Sequence, residues 1–189
     1  MNITVYCGSG FGNDKSLQEQ VQLFGKKLAQ SGHRLIFGGS RTGLMGLLAD
    51  AVLAEGGLVT GVELNYFAER QLSHTGLTEL LTADTLSQRK QMMIDRGDAY
   101  VALPGGVGTL DEVSEIITLK NIGILDKPCI LFNWKGYYEP LVAFCDRMRD
   151  SGFLNRDIRE MVYLAKDADD ILRGVVQLVV MKRSISHGL

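Results

Sequence analysis

Residues 104 to 112 read Pro-Gly-Gly-Val-Gly-Thr-Leu-Asp-Glu, a glycine loop that closes on two carboxylates. The apolar run Ala99 to Leu103 precedes it, and the helical pattern of Val113, Ile116, Ile117 and Lys120 follows. A buried strand feeding a glycine loop and then a helix brings bare backbone N–H groups and a positive helix end to one spot, which suits a phosphate. Gly105, Gly106, Val107, Gly108 and Thr109 are therefore candidate phosphate-binding residues. Glu112 has two readings. Thr109-x-x-Glu112 has the spacing of a capping box, in which the threonine oxygen caps the helix start and the glutamate reaches back to the cap N–H. In the second reading the carboxylate sits beside the bound phosphate, placed to bind a sugar hydroxyl, activate a water or stabilise a developing cation.

Arg89 and Lys90 form a second candidate pair, in Leu86-Ser87-Gln88-Arg89-Lys90-Gln91-Met92-Met93. Two cations early in a helix oppose its dipole, so helix stability alone does not explain them. An arginine fork there can pair with a phosphate or carboxylate, whereas a solvated surface face is the plainer alternative. Leu86, Met93 and Ile94 are expected to face inward. Glycines also cluster at Gly8-Ser9-Gly10 and Gly38-Gly39-Ser40, each after an apolar run, which brings Gly8, Ser9 and Gly39 into the binding set. One such loop is explained by a tight turn. Three at the carboxyl edge of an α/β sheet point to a ligand.

Standard nucleotide signatures do not fit. Gly8, Gly10 and Gly12 leave Asn13 where a dinucleotide fingerprint needs its last glycine, and no acidic residue ends the second strand. No G-x-x-x-x-G-K-[ST] occurs. A mononucleotide or sugar phosphate remains.

The elements that must position these residues alternate between short β-rich runs and helical stretches. Strands are predicted at 3–6, 34–37, 58–62, 79–82, 99–103, 129–132 and 162–165, giving a doubly wound, mainly parallel sheet with helices on both faces. In the first helix Leu17, Val21, Phe24 and Leu28 line one face, and Gly32 supplies the stop. Further helices are predicted at 43–55 and 169–182, and residues 184–189 are expected as a frayed tail after one domain over 1–183. At 189 residues and 46% hydrophobic, the chain has enough apolar surface for one sizeable core. A net charge of −2 without a basic block argues against nucleic acid as partner. No signal peptide or membrane span is expected, so the reading is cytoplasmic. Cys7, Cys129 and Cys145 are read as reduced core thiols, and His33, His74 and His187 lack ligand spacing, so no metal and no cofactor are expected.

Taken together, Val5-Tyr6-Cys7-Gly8-Ser9, Gly38-Gly39 with Gly43-Leu44-Met45-Gly46, Arg89-Lys90, Leu103 to Glu112, Gly123-Ile124 and Lys127-Pro128 resemble the LOG ("lonely guy") family, from Ile3 to about Leu172. That resemblance implies a Rossmann-like fold and a nucleoside 5′-monophosphate phosphoribohydrolase, which cleaves the N-glycosidic bond of cytokinin riboside monophosphates, and often AMP, to free base and ribose 5-phosphate. It implies Arg89 and Glu112 as the catalytic pair, Lys90 as an aid to binding, and Thr118 and Gln71 as positions near the substrate. Some relatives carry an older lysine decarboxylase label, yet no pyridoxal-phosphate lysine site is evident. The chain departs from the family where Ser87-Gln88 replace a His-Glu, where Gln71 replaces a Glu, and where Ser40-Arg41 replace a further glycine. A homodimer is implied too, and the apolar pattern of Val113, Ile116, Ile117, Ile122 and Leu125 is read as more than one sheet face needs. The alternative is a non-catalytic carrier, as in the related molybdenum-cofactor carriers.

Overall fold

The computed structural model describes residues 1–186. Seven strands form one sheet: β1 (Asn2–Tyr6), β2 (Arg34–Phe37), β3 (Leu58–Leu64), β4 (Glu79–Ala83), β5 (Ala99–Ala102), β6 (Cys129–Phe132) and β7 (Tyr163–Ala165). Their order is β4-β3-β2-β1-β5-β6-β7, and every neighbouring pair is parallel. The chain winds outward in one direction from β1 to β4, then returns to the other side of β1 and winds outward again. The crevice at the carboxyl ends of β1 and β5 is thus the topological switch point, where open α/β sheets bind ligands.

Helices α1 (Lys15–Gln30), α2 (Gly43–Ala54), α3 (Asn65–Ala68), α4 (Leu86–Arg96), α5 (Val107–Asn121), α6 (Glu139–Asp150), α7 (Ile158–Met161) and α8 (Ala168–Ser186) connect the strands. Side chains alternate along each strand, so the sheet feeds two cores. Ile3, Val5, Leu35, Phe37 and Val101 pack against Val21, Phe24, Leu48, Val52 and Ile171 of α1, α2 and α8. Tyr6, Ile36, Val62, Tyr100 and Leu131 pack against Met93, Val113, Ile116, Val142 and Met161 of α4 to α7. Both faces are covered, and β5 and β6 are accordingly buried at every position.

Each predicted strand is present. The consequential difference is β3, which runs two residues beyond Val62 and so takes in Glu63. The last helix also continues to Ser186, through the first half of the expected tail, and residues 187–189 of that tail, His187 included, lie outside the described residues. All three cysteines are free and buried. Among the described residues no helix is long and apolar enough to cross a membrane, and no three His, Cys, Asp or Glu side chains are grouped to hold a metal ion.

Candidate active site

The loops after β1 and β5 meet at the switch point, where the Gly8 N–H donates to the Pro104 carbonyl at 3.2 Å. Helix α5 begins with Gly106 as its N-cap and no side chain capping it. Its first intrahelical bond is Leu110 N–H to Gly106 C=O, so the N–H groups of Val107, Gly108 and Thr109 have no helical acceptor. They border a cavity of about 280 Å³, lined by residues 106–109 together with Ser9, Gly38, Met45, Arg89 and Glu112. The capping-box reading fails here. The helix starts two residues before Thr109, so Thr109 lies inside its first turn and Glu112 is too far along to reach the cap.

Glu112 instead pairs with Arg89, Nη1 to Oε1 at 3.1 Å, with both side chains only 12% exposed. Arg89 reaches the cavity from α4, whose start is capped by Thr85 accepting from the Gln88 N–H. Its Nε donates to the Val62 carbonyl at 2.8 Å and its Nη2 to the Gly38 carbonyl at 3.2 Å. Three elements therefore fix one guanidinium, and its remaining N–H groups are free to meet a ligand. Gly38 is required by this approach: a Cβ there would stand 2.3 Å from Arg89 Nη2. Burial raises the Glu112 carboxyl above the ordinary glutamate range, and the adjacent Arg89 charge pulls it part of the way back.

The wall opposite α4 is braced by the segment after β6. The Tyr137 hydroxyl donates to the Gly105 carbonyl, and the Tyr138 hydroxyl to that of Leu103 at 2.8 Å. Nearby, Asp14 caps α1 and accepts from the Trp134 indole at 3.0 Å and Lys135 Nζ at 2.8 Å. These contacts hold the glycine loop from behind.

Arg89, Glu112, Ser9 and residues 106–109 are thus brought together, with Gly8 and Gly105 in the loops just behind them. Lys90 points elsewhere, to Asp111 at 3.0 Å and Glu115 at 3.1 Å on the outer side of α5. Thr118 lies more than a turn and a half beyond Glu112, and its hydroxyl donates back to the Ser114 carbonyl at 2.8 Å. Gln71 is exposed, in a left-handed turn (φ 55°) after α3, beside rather than in the cavity. Gly39 accepts from the His74 N–H at 2.8 Å and backs onto Glu63. Leu86, expected inside, is 59% exposed, whereas Met93 and Ile94 are buried as expected. Sequence reasoning missed Gly38 and Met45 as lining residues, and Glu63, whose signal was a lone acid at the carboxyl end of an apolar strand.

Comparison with known proteins places the chain in a family. Residues 45–175 match the family model described as "Possible lysine decarboxylase". The cytokinin riboside 5′-monophosphate phosphoribohydrolase of Rhodococcoides fascians is 39% identical over 92% of this chain and 88% of its own. An Arabidopsis thaliana protein of the same name is 36% identical over 94% of this chain and 83% of its own. The chain belongs to the LOG family. Its fold also resembles the molybdenum-cofactor carrier protein of Chlamydomonas reinhardtii, at a TM-score of 0.73 and 21% identity over 95% of this chain and 98% of that one. That likeness concerns the fold alone.

Proposed function

We propose that this LOG-family chain hydrolyses the N-glycosidic bond of purine nucleoside 5′-monophosphates, cytokinin riboside monophosphates and AMP among them. The carrying observation is the buried Arg89–Glu112 pair beside the bare N-terminus of α5. The 5′-phosphate rests on the N–H groups of Val107, Gly108 and Thr109, where the helix dipole favours an anion. The ribose then lies over Glu112. As the C1′–N bond breaks, its electron pair leaves with the base and positive charge grows on the sugar, which an adjacent carboxylate stabilises. Water adds its oxygen to C1′, Glu112 takes the water's proton, and a proton passes by way of solvent from Glu112 to the departing base nitrogen, which restores the carboxylate. Arg89 positions Glu112 and offers N–H groups to the substrate. Water is the only co-substrate this reaction needs.

The named relatives support this substrate class. The carrier alternative has only the fold likeness behind it. We further infer a cytoplasmic homodimer. Val113, Ile116 and Ile117 are consumed by the protein's own core, contrary to the expectation that they exceed its needs. The exposed apolar side chains include Ile122, Ile124, Val107, Leu110, Tyr137 and Phe144, and the last four lie together beside the glycine loop. A second copy covering that surface accounts for it. The direct test of the activity is incubation with AMP and with isopentenyladenosine 5′-monophosphate, quantifying free base and ribose 5-phosphate. Release from either is expected; binding without release from both would leave the carrier reading.

A further inference from the structure

A second space of about 360 Å³ adjoins the Arg89–Glu112 cavity, and the two share Ser9, Gly38, Met45 and Arg89 as walls. Its far side is apolar, formed by Leu64, Phe67, Leu72 and Leu86. Three of these, Phe67, Leu72 and Leu86, are more than a third exposed. Flat apolar walls beside a polar catalytic pair suit an aromatic ring.

One ionisable group besides Arg89 lines this space. Glu63 is 3% exposed and directly follows Val62, whose carbonyl holds Arg89. Its Oε1 accepts from the Leu64 N–H at 3.1 Å, while Oε2 accepts no hydrogen bond from the described residues. Burial raises this carboxyl above the ordinary glutamate range, with Arg89 acting in the other direction. Glu63 lines the space, so a carboxylate oxygen that no protein donor occupies is open there to a ligand N–H.

We propose that Glu63 reads the base: its free carboxyl oxygen accepts the exocyclic N–H of an amino-substituted purine stacked among Phe67, Leu72 and Leu86. The proposal rests on the phosphoribohydrolase reading for the placement of phosphate and sugar. With the phosphate on α5 and C1′ at Glu112, the base extends past Arg89 into this space. Adenine donates two N6–H groups, and an N6-alkylated adenine keeps one, so both satisfy Glu63. A 6-oxo purine turns an acceptor toward the carboxyl, and an unsubstituted purine offers nothing. A site that loses its hydrogen bond to an analogue discriminates strongly against it.

The test compares AMP with purine riboside 5′-monophosphate, which lacks only the amine. Ribose 5-phosphate release gives kcat/KM for each, and calorimetry on the slow Glu112→Gln protein gives each Kd. We expect the wild-type site to favour AMP at least tenfold, Glu63→Leu to bring the ratio near one, and Glu63→Gln, which keeps an acceptor oxygen, to retain most of it. Equal treatment of the two nucleotides with Glu63 in place overturns the proposal, as does an undiminished preference in the leucine protein. If Glu63→Leu does not fold, the first of these outcomes and a preference abolished in Glu63→Gln still overturn it. Failure of every nucleotide to release ribose 5-phosphate defeats the hydrolase reading instead, and the calorimetric ratio then decides Glu63 alone.

Discussion

Arg89 and Glu112 depend on each other, because a carboxylate this buried is stable as an ion only beside its guanidinium. Glu112→Gln keeps the shape and the hydrogen bonds but loses the charge and the proton acceptor. Binding of AMP is expected within a few-fold of wild type, with turnover lowered on the order of a hundredfold or more, measured as ribose 5-phosphate release at saturation. Because the reaction needs Glu112 ionised and burial raises its pKa, the acid limb of the kcat/KM profile is expected above the ordinary glutamate value of 4.5. Arg89→Gln removes the compensating charge. A carboxyl whose folded pKa lies above its unfolded one contributes stability at low pH and loses it as pH rises through the folded value. The variant's Tm deficit should therefore be small near pH 4.5 and largest at neutral pH, where an uncompensated buried charge costs about 3–5 kcal/mol. A deficit independent of pH would contradict this account. Lys90 stays outside the cavity in the same structure that aims Arg89 into it, since adjacent helical residues point about 100° apart.

At the scale of elements, the site is a junction of helix starts and strand ends. Gly43 opens α2 at φ +61°, and a Cβ there would lie 2.2 Å from the Ser9 carbonyl oxygen. Gly43→Ala combines a left-handed backbone with a backbone collision, so a loss of about 2 kcal/mol or more is expected by chemical denaturation, together with weakened AMP binding as the first two loops separate. Thr85→Ala acts more gently. It removes the cap of α4 and is expected to cost about 1 kcal/mol and to raise KM more than it lowers kcat, because Arg89 lies just one turn from the frayed end. The T-x-x-E spacing misled because helix boundaries are the least legible feature of a sequence. Gly106 rather than Thr109 takes the cap, and moving the start by those residues turns Glu112 from a helix-end group into a cavity group.

For the whole molecule, the parallel sheet explains why residues as distant in sequence as Ser9, Gly38, Arg89 and Glu112 share one cavity: every strand delivers its following loop to the same edge. The apolar surface beside that edge predicts the assembly. Light scattering should give about twice the 20.8 kDa of one chain, and a Phe144→Asp, Leu110→Asp double variant should shift it toward one. A single-chain mass for the unaltered protein would remove the dimer. The sequence by itself determined the parallel α/β class, the positions of all seven strands and the importance of residues 104–112, because alternation of apolar runs with glycine loops is a local signal that the sheet only has to obey. It also nominated Arg89 and Glu112, but left each with a bland alternative. Only the tertiary structure decided between them, and only it exposed Leu86, turned Lys90 and Thr118 away and brought Glu63 to the cavity wall. Those outcomes depend on which side of a helix meets a neighbouring loop and on where a strand stops. Helix rotation and strand length are set by packing between elements far apart in the chain, and no spacing within one element records them.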